Sequence, residues 1–600
     1  MWNAPAARLG LCLLGFVAAL RPDGATAATN WVDFEVRGNV AYFLFQSPQA
    51  IARYDMDREA FKSPFALSQV PSELEVGGGG IFYSAGNQVF RVDEGIVSHL
   101  ANTDGAVRDL VTGGGFLFVR DSTRLLTVDP ITGVKTSTYD DFYAAAGLSS
   151  HPTARVLYGR DSGLSPSDIH RLTYSVAGAI TGNFDSPYHG DYPGATQTWV
   201  HPNGQWVFDD SGIVYNPDLT YAGSLGGGFG SIAFSEDAIF VSRDREVVRF
   251  NHSFIETGRV TARRFVDSIA VRAGRVFAFE QGDSGKPKVQ IFESSAFQVL
   301  PPNPPVDPNG LAYIVDDAFI TKDRLVYLLS REHKNIFVWS VDDRAYRDSI
   351  PLVGAPLYFA HDAESQRVVL AYDSGLITTI PLADVPAETP LVNSPQTPCG
   401  LAMAGPYVFV CDPSGAWESH FTYSPAGTLI DQRDWNYYSQ EYIWSQANRR
   451  MYFFRDDTSP NDLHFEVVKS DGTLGDEGET PYHDSNGIAH PIRVSDDGVL
   501  IVLGSGRIYD AIGMTHIDNL GGVDSIDDAD WRGRQLFTIR PDGAKTVLDR
   551  WTTTYVSAEQ KRFRGLPIRL FVVNKRDVLV ITNRGGVPTF YVTRQPALPG

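Results

Sequence analysis

Two short elements bearing histidine and aspartate occur twice in this 600-residue chain. Residues 165–170 read SPSDIH and residues 459–464 read SPNDLH, so Asp168 and His170 recur as Asp462 and His464. Residues 187–189 and 481–483 both read PYH, which puts His189 and His483 at matching positions. Asp185 and Asp191 flank the first PYH, and Asp484 follows the second. In an extended stretch, residues i and i+2 point to the same side. A carboxylate and an imidazole so placed can orient a water, share a divalent cation such as calcium, or exchange protons near neutral pH. The candidate catalytic residues are therefore Asp168, His170, His189, Asp462, His464 and His483. The candidate metal ligands are Asp168, His170, His189 and Asp191. A simpler role competes with each: Ser and Asp side chains bond to backbone amides in turns, and Tyr188 and Tyr482 can pack over a sheet edge.

Other sites are less specific. FDDSG at 208–212 and DSIDDAD at 524–530 are rich in oxygen ligands, but neither has the alternating spacing of an EF-hand loop. They read as solvated turns. The glycine runs at 77–80 and 226–230 lack the Lys-Ser/Thr ending of a phosphate loop and fit tight turns where strands crowd. No G-x-S-x-G elbow is present. Cys399 and Cys411 stand equally far from Gly405, within CGLAMAGPYVFVC. The Gly405-Pro406 turn would let the two cysteines face each other across a hairpin, as a disulfide or as two small buried apolar groups.

These residues must be positioned by strands, because helical periodicity is almost missing. Apolar runs of four to seven residues, rich in Val, Ile, Phe and Tyr, alternate with turns; GFLFVRDSTRLLTVDPITG from Gly115 is one example. About fourteen such units recur at about 41 residues each, the spacing of four-stranded propeller blades. The duplicated motifs share one offset of 294 residues, as do Tyr215 with Tyr509 and Gly204 with Gly498. That offset holds seven units of 42 residues. The expected fold is all-β: two tandem seven-bladed β-propellers formed by internal duplication. Their expected bounds are 28–300 and 310–600, with a Pro-rich linker at 301–309. The final unit looks short of a strand. A strand near Trp31–Val36, or one beside the linker, is expected to complete a blade and close the ring.

VDPITG at 128–133 resembles the strand turns of bacterial YVTN-type and quinoprotein-like exported propellers. The resemblance implies the fold and carries over neither a quinone cofactor nor a dehydrogenase activity.

Composition narrows the function. Apolar types make up 43% of the chain and aromatics 12%, which is globular rather than disordered. The net charge of −20 repels phosphate backbones, so nucleic acid is not an expected partner. Residues 1–27 read as a secretory signal peptide: Arg8, an apolar stretch at 9–20, and Ala25-Thr26-Ala27 before the cut. No later stretch is long enough for a membrane span. The expected location is periplasmic or secreted. The function expected first is non-catalytic binding or scaffolding, with loop faces that recognise protein or saccharide. The second is a hydrolase or lyase acting on a carbohydrate or small ester, metal-assisted if the loop residues converge.

Overall fold

A computed structural model describes residues 31–140, 146–161, 167–282, 286–299, 302–382, 386–415, 417–482 and 487–595. The expected signal peptide at 1–27, His483 and Asp484 lie outside them. Among the described residues the architecture is all-β and propeller-like. It has fourteen antiparallel sheets, each built from strands consecutive in sequence. Twelve sheets have four strands, and two have three, at Ser268–Glu293 and Leu566–Arg594. A three-residue 3₁₀ turn at Ser294–Ala296 is the helical element present. We number the sheets 1 to 14 in chain order.

Each sheet is apolar on both faces, so neither face can be left to water. Consecutive sheets bury these faces against each other. Leu44 and Ile51 of sheet 1 pack on Tyr83 and Phe90 of sheet 2, and the pattern repeats along the chain. Two clusters break the sequential order. Trp31 and Phe43 of sheet 1 pack on Phe277 and Phe279 of sheet 7. Phe337 and Trp339 of sheet 8 pack on Leu579 and Ile581 of sheet 14, with Trp339 and Phe590 stacked at 4.2 Å.

Among the described residues, no additional strand completes sheet 7 or sheet 14. Trp31–Arg37 pairs with Val40–Gln46 in its own sheet and is not added to sheet 7 or 14. Aromatic packing between sheets 1 and 7 does the work instead, because it buries both open faces without a shared strand. The described part of the proline-rich segment and the residues after it pack on sheets 8 and 14. Asn303 donates from its backbone N to Leu352 O at 3.2 Å, and the Tyr313 amide donates to Gly586 O at 2.9 Å.

The Cys399–Cys411 disulfide forms, with a Cα separation of 5.1 Å. The hairpin register is offset from the symmetric reading: Ala404 faces Tyr407 and Gly400 faces Cys411. The turn therefore centres between Gly405 and Pro406. Gly405 has φ of +63°, which a residue with a Cβ adopts at a cost.

The two halves of the chain touch. The buried Asn393 side chain donates to Ser224 O at 3.2 Å and Phe254 O at 2.9 Å. Tyr192 donates its hydroxyl to Gln432 Oε1 at 3.1 Å. A Cβ on Gly226 would sit 2.9 Å from Ser374 O, so this approach admits only glycine.

The first strands of successive sheets converge, and their edge amides are taken up by neighbouring side chains. Asp33 Oδ2 accepts from Leu74 N at 2.6 Å, Glu75 Oε1 from Thr112 N at 3.0 Å, and Asp109 Oδ2 from Leu148 N at 2.5 Å. Asp528 Oδ2 accepts from Leu570 N at 2.8 Å and Asp530 Oδ2 from Val572 N at 2.6 Å. Burial pushes the Asp33 carboxyl up to about 6, and Glu75, Asp109 and Asp530 up to about 7. Amide bonds to each carboxylate oppose the rise without cancelling it.

This sets the sign of the pH dependence. Between the ordinary carboxyl range near 4 and about 7, the folded chain holds protons that the unfolded chain has released. Stability from these groups is full below that window and declines as pH rises through it. We expect the thermal midpoint of the mature protein to fall between pH 5.5 and 8, and Asp109→Asn to flatten the slope. Scanning calorimetry across that range checks it; a midpoint that rises toward pH 8 contradicts it.

Candidate functional site

The structure separates the first duplicated motif into two local networks. His170 lies in the strand Ile169–Tyr174. Its Nε2 lies 2.7 Å from Asp161 Oδ1, and its Nδ1 lies 2.8 Å from Asp185 Oδ1 and 3.0 Å from Asn183 Oδ1. Burial opposes the charged ring, but bonding to Asp161 and the charges of Asp161 and Asp185 outweigh it, so the imidazole titrates above its ordinary range. Asp168 turns to a different partner. Its Oδ2 is 2.6 Å from His189 Nδ1, and its Oδ1 accepts from Gly190 N at 3.2 Å. Asp168 is buried and the His189 side chain is 80% exposed. Burial, then the charges of Asp434 and Asp168, push the Asp191 carboxyl up to about 6, against the pull of His189. Asp434 comes from the other half of the chain, where Gly415 N donates to Asp191 O at 2.8 Å.

The second copy keeps the register and changes the charge. His464 faces Glu479 across the strands as His170 faces Asp185. The residue matching Asp161 at the 294 offset is Arg455. Burial, reinforced by the Arg455 charge, lowers His464 to about 3. Asp462 Oδ1 accepts from Thr480 Oγ1 at 3.2 Å. The duplicated tyrosines tie neighbouring sheets together: Tyr188 OH accepts from Tyr221 N at 3.0 Å, and Tyr482 OH from His516 N at 3.3 Å. Among the described residues, no three His, Cys, Asp or Glu side chains gather so as to hold a metal ion. The acidic loops serve turns and latches: Asp209 accepts from Ser211 and Ile213 amides, and Asp528 from Leu570.

A second site lies where the first strands of sheets 8 to 14 converge. They surround a cavity of about 1170 Å³. Phe319, Tyr358, Met403 and Trp444 supply apolar wall, and Phe319 stacks on His361 at 3.9 Å. Burial lowers His361 to about 4, so its ring is neutral. At one end, His490 sits between Glu441 (Nδ1 to Oε2, 3.3 Å) and Asp456 (Nε2 to Oδ2, 3.0 Å). Arg493 bridges Glu441 at 2.6 Å and Asp528 at 2.7 Å. Arg569 reaches Asp317 at 3.0 Å. Burial opposes ionisation of Glu441, but Arg493, His490 and the Ile492 amide hold it down at about 2. Burial likewise opposes the charged His490 ring, yet its two carboxylate partners hold it up at about 9.

Motif inspection does not reach Asp317, Glu441, His490, Arg493, Asp528 or Arg569, because they come from five sheets and share no local pattern. A weaker signal exists: a charge that interrupts a short apolar first strand, as in IRV at 492–494 and IRL at 568–570.

Comparison with known proteins adds little. No protein-family model matches the chain, and no curated protein matches it. A solved structure titled Kuenenia stuttgartiensis hydrazine synthase aligns at 11% identity, covering 46% of this chain and 99% of its own, with a TM-score of 0.37. A likeness that distant says nothing about the site. No described helix is long and apolar enough to cross a membrane.

The copy-to-copy charge change is testable by imidazole NMR titration. His170 should stay protonated above its ordinary range, while His464 stays neutral to well below pH 5. Arg455→Asp should raise the His464 titration by more than one pH unit. An unchanged His464 would remove Arg455 as the cause.

Proposed function

We propose that this chain is an exported, non-catalytic binding protein made of two seven-bladed β-propellers, residues 28–300 and 310–600. The packing of sheet 7 on sheet 1 and of sheet 14 on sheet 8 supports two closed rings. The leader at 1–27 supports export to the periplasm or beyond. One observation carries the binding reading: the cavity of about 1170 Å³ on the second axis, with aromatic walls and polar groups already fixed by one another. Pre-formed concave sites of this kind hold ligands with little reorganisation. The charged groups described at one end are engaged in ion pairs, which suits recognition better than chemistry. Outer loop faces remain for protein or saccharide partners. Native mass spectrometry of the protein purified from its producing cells should show one small molecule retained per chain. Ala360→Trp, which fills the cavity, should abolish retention. A wild-type chain that retains nothing and is not stabilised by any compound of a broad metabolite panel defeats the reading.

The pairing of exposed His189 with buried Asp168 favours a second reading, a hydrolase or lyase acting on a carbohydrate or small ester. A buried carboxylate that orients an exposed imidazole is a general-base arrangement, and Asp191 beside it holds a proton near pH 6. Turnover of chromogenic esters or glycosides that His189→Ala reduces at least a hundredfold would support it. Turnover that survives His189→Ala, or none at all, would not.

A further inference from the structure

The cavity of the second half has a charge pattern along its axis, and that pattern names a ligand class. Its first strands run in one direction: Asp528 bonds to Leu570 and Asp530, two residues on, bonds to Val572. Residues that precede these strands therefore collect at one end, and residues that follow them collect at the other. Asp527 precedes the strand Asp528–Arg532, and Asp496 follows the strand Ile492–Val494; both are exposed and line the cavity. The Arg493 side chain reaches Asp528 at 2.7 Å across the gap between these two strands. Asp496, in the turn after its strand, and Asp527, just before the start of its own, thus lie toward opposite ends of the cavity. Between these ends the wall is apolar, with Phe319, Met403, Ile443 and Trp444 facing the space.

The charges do not cancel. Seven carboxylates line the cavity against three Lys or Arg side chains and the protonated His490, which leaves an excess of three negative charges. The cations at the strand-start end are already engaged: Arg569 by Asp317 and Ala318 O, and His490 by Glu441 and Asp456. Lys322, which follows the strand Asp317–Ile320, stands at the other end with Asp362, Glu364 and Asp496, so an anionic ligand would meet an excess of carboxylates at both ends. A neutral one would leave the excess charge uncompensated.

Resting on the reading of this cavity as the ligand seat, we propose that it takes a linear polyamine. One ammonium group sits at Asp527, another at Asp496, and the methylene chain between them lies along the apolar wall. Ammonium groups gain from carboxylates in a partly desolvated space and from the faces of aromatic rings such as Trp444. The chain's overall charge of −20 would also draw a polycation toward the cavity mouth.

The test is calorimetric titration of the mature chain with spermidine at moderate salt. One molecule should bind per chain in the micromolar range. Asp496→Asn and Asp527→Asn should each weaken binding at least tenfold, and butylamine, which has one ammonium group, should bind at least tenfold more weakly than spermidine. Glu236→Gln, an exposed carboxylate in the other half, should change nothing. Several weak sites per chain, or equal losses in Glu236→Gln, would mean surface attraction and overturn the proposal. So would single-site binding indifferent to Asp496 and Asp527. If the retained ligand proves to be a neutral saccharide displaced by Ala360→Trp and spermidine gives no heat, the polyamine is wrong while the cavity reading stands. If neither occupies the cavity, both fall.

Discussion

An inner strand at the edge of its sheet carries amide groups with no ladder partner, and this chain answers that constraint with carboxylates from the preceding unit of the chain. Asp33, Glu75 and Asp109 do so in the first half, and Glu441, Asp528 and Asp530 in the second. An unsatisfied buried amide costs on the order of 1–3 kcal/mol, so each latch matters to a chain whose net stability is small. The latches also set how far and in what order the first strands stand around the axis.

The same device has different electrostatic outcomes in the two halves. In the first, Asp33, Glu75 and Asp109 stand close enough to raise one another, and burial keeps protons on them toward neutral pH. In the second, Arg493 and Arg569 pair with Asp528 and Asp317, while burial pushes Asp530 up to about 7 as it does the first-half carboxyls. Buried carboxylates without cations must share protons, whereas buried ion pairs stay charged and directional. The second axis therefore presents fixed charge beside an open cavity.

The segments related by the 294-residue offset share packing more faithfully than chemistry. Tyr188 and Tyr482 make the same kind of link to a neighbouring strand, and His170 and His464 hold the same register. Yet Asp161 beside one histidine is replaced by Arg455 beside the other. Retention of a motif in both copies thus reflects sheet geometry, and the charge around it was free to change. The exposed His189 with its buried Asp168 differs, since nothing in sheet packing requires an imidazole pointing to solvent.

Much of the architecture is legible in the residues themselves. Period-two apolar runs and turn residues are local signals, and they mark the strands and the four-stranded sheets. The disulfide follows from a short hairpin, although its register differs by one position because the turn centres between Gly405 and Pro406. What closes the packing was not legible. Trp31–Arg37 stays in its own sheet, and the meeting of Phe43 with Phe279 joins residues more than two hundred positions apart. The candidate site divides in the same way. The motif placed Asp168 two residues from His170, but tertiary contacts gave Asp168 to His189 and His170 to Asp161. The axial cavity owes its walls to all seven sheets of the second half, each supplying only a few residues. Sequence determines what a strand buries and where it turns, because those depend on neighbours along the chain. Which charges meet depends on how the strands converge, and only the tertiary structure decides that.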